Sequence, residues 1–265
     1  MDIFLLKLIL APLIIGSASL AGRKWGVAIS GWLVGLPLTS GPVAFFVSLS
    51  HDRAFAFETV RGVLSGGFSL VAYTLTYAWL AKRFNWKASF TVSVLVFAGL
   101  TTLLETMTIP FIPLFFGVLA AILAGARLMP KHESIQTASV PGNWDIPTRI
   151  LLGTGFIILV TAIAPYIGAR LTGLLTTIPL YVSILTIFAH RHDGGASAIH
   201  VLRGLMYGLF AFASFYLVLG LLIEKQSLAL SFSAATLAAI VTQGLTLLAM
   251  RRTQSDHFMN GASTP

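Results

Sequence analysis

The sequence predicts an all-α fold, a polytopic membrane helix bundle of about nine transmembrane helices. Of its 265 residues, 56% are hydrophobic and only 10% are charged, and the mean hydropathy is +0.88. Since roughly a quarter of an ordinary soluble domain is charged, this composition excludes a water-soluble globule. Apolar segments of bilayer-spanning length follow one another with short connections, which leaves little chain for a soluble domain.

Charged residues and clusters of proline and glycine mark the ends of nine apolar segments. The segments cover residues 2–21, 26–50, 54–81, 88–105, 108–128, 148–166, 169–189, 197–223 and 228–250. They predict a first four-helix repeat at 1–105, a connector helix at 106–128, a polar linker at 129–147, a second four-helix repeat at 148–250 and a disordered tail at 251–265. Lys7 lies inside the first apolar run and Asp2 precedes it, which argues against a cleaved signal peptide.

Composition and motifs exclude several classes of function. The chain has no cysteine, which rules out disulfides and cysteine-ligated metal centres. Its net charge of +8 comes from cations placed singly or in pairs, so we predict no nucleic-acid partner. Motifs for zinc hydrolysis, phosphate binding and activated nucleophiles are missing from the sequence, so we predict no enzyme, no metal and no cofactor. The expected partners are the lipid bilayer and a small-molecule substrate; the oligomeric state is left open.

The two four-helix units match each other weakly along the chain. Gly35 aligns with Gly173, and the paired residues His51-Asp52 and Arg61-Gly62 align with His192-Asp193 and Arg203-Gly204 at slightly larger shifts. Four spans return the chain to its starting side, so an odd connector helix makes the second unit insert upside down. We therefore predict two inverted repeats.

Cations predict the orientation of the chain. Twelve of the 17 Lys and Arg residues fall on the side shared by the C-terminus and the loops after the first, third, fifth and seventh segments. The other side carries Lys7, Arg53, Arg61, Arg170 and Lys225. Because cytoplasmic loops are enriched in cations, the N-terminus should be outside and the C-terminus in the cytoplasm of a bacterial inner membrane.

Short motifs in both units resemble the GlpM-like proteins, which are small four-helix bacterial inner-membrane proteins. The second unit carries the segments 173–179 (GLLTTIP) and 198–203 (AIHVLR), and the first carries 35–38 (GLPL) and 59–61 (TVR). The resemblance implies that a single-unit relative pairs with itself and that this chain is a fused tandem duplication. The resemblance implies a fold but does not imply any particular activity.

Proline and hydroxyl residues interrupt one helix of each unit near mid-membrane. Segment 35–42 (GLPLTSGP) combines two prolines with two glycines, and its counterpart is segment 176–179 (TTIP). Irregular backbone survives in a membrane when it is buried in protein or lines a watery cavity. The candidate substrate-lining residues are Pro37, Thr39, Ser40, Pro42, Thr176, Thr177 and Pro179. The alternative is two proline kinks in which the hydroxyls bond their own helices.

Arg61 and Arg203 lie one to two turns inside long apolar helices, where an arginine is costly unless it snorkels, pairs or meets water. As charge clamps they could hold an anion alternately from the two sides. Alternatively, they reach lipid phosphates or cap neighbouring helices. For Glu58, which precedes Arg61 by three positions, a local ion pair is the default.

Five residues are candidate proton sites: His51, Asp52, Glu105, His192 and Asp193. A histidine beside a carboxylate can titrate near neutral pH. The alternative for the two aspartates is that they cap the helices that follow them.

Together these features predict a secondary transporter or permease of a small solute, with an anion favoured, and with its site at the midplane between inverted repeats. The alternative is a non-transporting membrane scaffold, an accessory subunit, or a lipid-binding or lipid-flipping protein.

Overall fold

A computed structural model describes residues 3–25, 32–130 and 145–261. Within these ranges the chain is helical, with turns between the helices. The helices are α1 (Ile3–Trp25), α2 (Ser40–Ser50), α3 (Arg53–Leu80), α4 (Trp86–Thr106), α5 (Phe111–Leu128), α6 (Asp145–Ile167), α7 (Ala169–Leu175), α8 (Leu180–Asp193), α9 (Gly195–Leu222) and α10 (Leu228–Gly261). Residues 32–34 form a short helical turn before α2.

Among the described residues, seven helical spans are long and apolar enough to cross a membrane. They are α3, α4, α5, Ile146–Ile167 of α6, α7 and α8 taken together, α9, and Leu228–Leu248 of α10. The described chain is thus an all-helical bundle that fits a multi-pass membrane protein. The first two predicted segments lie outside these seven, so the count of nine stays a prediction.

Helices α3 and α9 form the centre of the bundle. Most of their residues are buried, whereas α4, α5 and α10 turn large apolar side chains outward: Leu95, Phe116 and Leu237 are all more than half exposed. Exposed aliphatic faces of this extent suit contact with lipid. A larger apolar cluster surrounds α3 and α9, and a smaller one joins α1, α2 and α6 to Tyr181 of α8.

The central helices have equal length and opposite direction. Each has 28 residues. At one end Arg53 donates to the carbonyl of Ile223 at 3.0 Å, and at the other Gly195 lies against the carbonyl of Ala81. The start of each helix therefore meets the end of the other.

The helix starts repeat along the chain at a constant spacing. Helix α3 begins at Arg53 and α9 at Gly195. The number of positions between these two starts is the same as that between Arg61 and Arg203, and we call this number the repeat offset. Helices α6 and α10 follow α1 and α4 by the same repeat offset. Three pairs of helices thus keep one register between the two halves of the chain.

Local signals account for several helix ends. Asp52 and Asn85 cap α3 and α4, since each side chain accepts a hydrogen bond from an amide in the first turn of the helix. Gly168 and Gly194 separate α6 from α7 and α8 from α9 with φ of 80° and 87°, a conformation that favours glycine.

Two observed boundaries differ from the predicted ones. Helix α6 begins at Asp145 because Pro147 falls in the first turn, where its missing N–H costs little; of the predicted linker, 131–144 lies outside the described residues. Helix α10 continues to Gly261, where the sequence predicted a disordered tail from 251. No proline or glycine intervenes between Gly244 and Gly261 to end it.

Candidate functional site

The structure contains both predicted helix breaks, and each is a tight turn around a proline. In the first, the Leu38 amide donates to the Leu36 carbonyl at 2.7 Å across Pro37. In the second, the Leu180 amide donates to the Ile178 carbonyl at 2.8 Å. Pro179, the residue between them, has φ of −79° and ψ of 55°, close to an inverse γ-turn. Proline suits this turn because its ring fixes φ and it has no amide to satisfy.

The two breaks share a hydrogen-bond pattern at the repeat offset. The Gly35 amide donates to Trp32 at 3.2 Å, and the Thr177 amide donates to Leu174 at 3.2 Å. The bonds around Pro37 and Pro179 repeat in the same register. By this pattern Gly35 corresponds to Thr177, whereas the sequence match paired it with Gly173.

Each break packs on the central helix of the other unit. An added Cβ at Gly35 would lie 2.4 Å from Cα of Gly208 in α9, and one at Gly66 in α3 would lie 2.3 Å from Oγ1 of Thr177. Gly66 and Gly208 are themselves separated by the repeat offset. Because glycine has no side chain, two backbones meet at Gly35 and Gly208, and the Thr177 side chain meets the helix backbone at Gly66.

A cleft of about 420 Å³, counting its open mouth, lies where the two breaks meet. Of the seven predicted lining residues, five line it: Thr39, Ser40, Thr176, Thr177 and Pro179. Pro37 and Pro42 are not among its lining residues. Leu70 of α3 and Leu205, Leu209 and Phe212 of α9 form an apolar wall. Residues from both halves of the chain thus share one site.

Backbone groups supply much of the polarity in the cleft. The hydroxyls of Thr176 and Thr177 donate to carbonyls of their own helix at 2.7 and 2.6 Å, as the alternative interpretation expected. No lining residue that the structure describes is charged. The first turns of α2 and α8 do line the cleft, through Ser40, Leu180 and Val182. Several of the leading amides already have acceptors, among them Gly41 with Pro37 and Leu180 with Ile178. The attraction of these ends for negative charge therefore comes mainly from the helix dipoles.

Neither predicted charge clamp lies in the cleft. Arg61 forms an ion pair with Glu58 at 3.1 Å, the local pairing expected for that glutamate. Arg203 donates to the carbonyl of Pro130, just after α5, at 2.7 Å. In this conformation Arg203 holds the chain just past the end of a neighbouring helix, since Pro130 follows the C-cap residue Met129. This is close to the helix-capping alternative that the sequence left open. That Arg203 holds a solute anion stays a prediction.

Two further arginines cap helix ends, a role that sequence reasoning missed. Arg53 donates to the carbonyls of Ile223 and Gln226 after α9, and Arg170 donates to Leu104 near the end of α4 at 2.6 Å. The final carbonyls of a helix carry partial negative charge and have no intrahelical donors. The only signal in the sequence is a lone arginine beside an apolar segment.

The predicted proton sites lie apart from the cleft. Asp52 caps α3, and His51 stacks on Phe55 with 4.2 Å between ring centroids. His192 stacks on Phe188 at 6.1 Å, and Asp193 is the last residue of α8. One carboxylate oxygen of Glu105 is buried with no hydrogen-bond partner within the described ranges. These five residues are not brought together, and none is a lining residue.

The structure adds a set of buried polar contacts between α3 and α8. Tyr73 and Ser183 are hydrogen-bonded at 2.8 Å, and Tyr77 contacts Nδ1 of His190 at 3.3 Å. The sequence offered one signal, two tyrosines a helical turn apart in an apolar helix.

Comparisons with protein-family models, curated proteins and solved structures found no match. The resemblance to the GlpM-like proteins therefore stays a prediction from the motifs. Within the described part of the chain, no cluster of three or more His, Cys, Asp or Glu side chains could hold a metal ion.

Proposed function

We propose that this protein is a secondary transporter or permease of a small solute in the bacterial inner membrane. The observation that carries the proposal is that two helix breaks, one from each half of the chain, face a single cleft. Paired broken helices of this kind expose backbone donors and acceptors at mid-depth, which is how many carriers hold a substrate.

Two inverted units would explain the arrangement. Pairs of helices begin at the repeat offset, the central pair is antiparallel, and both breaks share one hydrogen-bond pattern in that register. An internal two-fold axis in the membrane plane would exchange the two halves. The predicted orientation, with the N-terminus outside and the C-terminus in the cytoplasm, belongs to this proposal.

The chemistry of the cleft restricts the solute. An apolar wall and two helix N-termini suit a small molecule with an acceptor or anionic group and an apolar part. Arg61 and Arg203 do not line the cleft, so the helix N-termini would supply the attraction for an anion. Without its open mouth the cleft has a volume of only about 40 Å³, so it must widen before it admits a solute.

Alternating access would follow from movement between the two apolar clusters. Tyr181, of the smaller cluster, and Leu70, Leu205 and Leu209, of the larger one, all line the cleft. Rocking of one cluster against the other would open the cleft first to one side of the membrane and then to the other.

Single cysteines test whether the cleft is an aqueous site. The chain has no native cysteine, so Leu36→Cys and Ile178→Cys, two half-buried lining positions separated by the repeat offset, can be labelled alone. We expect both to react with a membrane-impermeant thiol reagent applied to either face of oriented vesicles. Leu95→Cys, on the exposed face of α4, should stay unreactive because lipid covers it.

Labelling separates the transporter from the scaffold. A scaffold has a dry centre, so neither cleft cysteine would react from either face, and this result would refute the transporter. Reporter fusions at the two ends of the chain test the inversion, because both ends in one compartment would contradict an odd number of spans.

A further inference from the structure

A column of buried polar side chains lies between α3 and α8. Tyr73 and Tyr77 lie one turn apart on α3 and are fully buried. Ser183, Thr186 and His190 occupy one face of α8 at helical spacing. Two contacts, Tyr73 with Ser183 at 2.8 Å and Tyr77 with His190 at 3.3 Å, join the helices at the two ends of this column.

Thr186 lies between these contacts and is unsatisfied. Its side chain is fully buried, and Oγ1 has no hydrogen-bond partner in the part of the chain that the structure describes. Leaving a buried hydroxyl unpaired costs about 1–3 kcal/mol, so packing alone favours an apolar residue here. The unsatisfied hydroxyl indicates that a water molecule or a proton-transfer partner belongs at this point.

The same interface in the other half of the bundle is built without these groups. At the repeat offset, α9 and α2 supply the corresponding residues Phe215, Leu219, Gly41, Ala44 and Ser48. A Cβ at Gly41 would lie 3.8 Å from the Phe215 ring, so this pair is also adjacent. Ser48 donates to its own helix at 2.6 Å. Among the described residues, that interface has one buried polar contact, between Tyr216 of α9 and Ser40 of α2, at positions that do not match the column. Packing therefore does not require polar groups at the five column positions.

The column runs from next to the cleft, whose lining includes neither Tyr73 nor Ser183, to one face of the bundle. Ser183 follows Val182, which lines the cleft, and His190 is partly exposed in the last turn of α8. The turn that follows α3 at this end carries Lys82 and Arg83, two of the cations that predict the cytoplasmic side.

We propose that the side chains of Tyr73, Tyr77, Ser183, Thr186 and His190 form a proton path from the cytoplasmic side to the cleft. This inference rests on the proposed transporter function and assigns the proton as its coupling ion. Within the described residues the matching interface of the opposite half has the single polar contact of Tyr216 with Ser40 in place of a column, so the two halves differ in their chemistry.

Proton transfer along the column conserves every group. The His190 ring also contacts the backbone of Phe84, so water must replace that contact before the ring takes up a proton. Nδ1 of His190 then releases a proton toward the Tyr77 hydroxyl. Each hydroxyl accepts a proton from the group behind it and gives its own to the group ahead, with water beside Thr186 joining the two contacts. The proton ends on water or solute in the cleft, and every side chain is neutral again. The hydroxyls must then rotate back and His190 must return to its first tautomer before another proton passes.

The elements around α8 carry other ionisable groups along their whole length. They are Lys82 and Arg83 after α3, Lys87 and Glu105 on α4, His200, Arg203, Tyr207 and Tyr216 on α9, Asp145 and Arg149 on α6, and Arg191, His192 and Asp193 on α8. Lys82 and Lys87 lie over the Trp79 and Trp86 rings. Among the contacts that the structure describes, His190 is the ionisable group that meets the Tyr77 hydroxyl.

Proton flux into vesicles tests the path. Purified protein is reconstituted with phosphatidylethanolamine and phosphatidylglycerol, a pH-sensitive dye is trapped inside, and a potassium gradient with valinomycin sets an inside-negative potential. We expect the protein to acidify the lumen faster than protein-free vesicles do. Thr186→Val, Tyr73→Phe and His190→Ala should each lower the protein-dependent rate by about fivefold or more.

Thr186→Val also separates a path from a structural contact. It keeps the shape of the side chain and removes an unpaired hydroxyl, so the melting temperature should stay level or rise while the flux falls. Thr186→Ser keeps the hydroxyl and should retain more flux than Thr186→Val. Ser48→Ala, at the position matching His190 in the other half, should leave the rate unchanged.

Two outcomes would overturn the proton path: native flux equal to that of protein-free vesicles, or native flux retained by Thr186→Val. If the flux is absent while Leu36→Cys and Ile178→Cys still react, the transporter stands and its coupling to protons falls. If those cysteines are also unreactive from both faces, the transporter itself falls.

Discussion

Gly208→Ala perturbs the contact between the first helix break and the opposite central helix. The added Cβ would lie 2.3 Å from the carbonyl oxygen of Trp32 and 2.8 Å from Cα of Gly35. Both neighbours are backbone atoms, so no change of rotamer relieves the overlap. The helices must separate by about 1 Å to reach ordinary van der Waals distance.

A separation of this size should be costly because a hydrogen bond from α10 also holds the break in place. The side-chain amide of Gln243 in α10 donates to the Trp32 carbonyl at 2.8 Å. Overpacking of a well-packed interior costs about 1–3 kcal/mol. We therefore expect Gly208→Ala to lower the free energy of unfolding by that amount and to reduce solute movement through the cleft.

Thermal unfolding in detergent, followed by the loss of the monodisperse chromatography peak, measures the change. Gly244→Ala is the matched control, because it lies in a helix and no atom lies within 4 Å of its added Cβ. It should be neutral or stabilising by up to about 1 kcal/mol, as expected for Gly to Ala in a helix. Equal melting temperatures for Gly208→Ala and the native protein would refute the packing argument.

Three further predictions concern arginines, a buried pair and a proline. Arg203→Met should lower stability by about 1.5–3 kcal/mol, since a charged donor to a carbonyl is lost. Arg61→Met should change stability by less than about 1 kcal/mol, because its ion pair is partly exposed. Denaturant titration of both variants ranks them, and a reversed order would contradict the role given to the Arg203 hydrogen bond. A double-mutant cycle on Tyr73→Phe and Ser183→Ala should give a coupling energy of about 1 kcal/mol, and zero coupling would show that the hydroxyls do not interact. Pro179→Ala should lower stability by about 0.4–1 kcal/mol through the greater freedom of the unfolded chain, and a rise in melting temperature would contradict this account.

Local sequence chemistry was enough to place the helix breaks. Pro37 and Pro179 remove backbone donors from apolar segments, and this effect does not depend on the tertiary fold. The structure accordingly has turns at both prolines. The sequence did not predict which residues of the two breaks correspond. The short match aligned Gly35 with Gly173, whereas the hydrogen bonds align Gly35 with Thr177, one helical turn further along.

The partners of the long polar side chains were not predictable. An arginine in an apolar segment can snorkel to lipid, bind a solute or cap a helix, and local sequence is the same in all three cases. Arg203 reaches Pro130, which lies in a different part of the chain. The contact of His190 with Tyr77 could not be predicted for the same reason, since only the tertiary fold brings these two distant residues together.

The crossed packing of the two halves has a consequence for biosynthesis. Gly62 on α3 receives the backbone of Arg170, which belongs to the second half and is added much later by a ribosome that works at about 5–20 residues per second. Until then a nascent chain would hold a narrow, unfilled furrow inside the bilayer. Insertion machinery or lipid must occupy that furrow until its own later segment arrives, so the first half made alone should be prone to degradation.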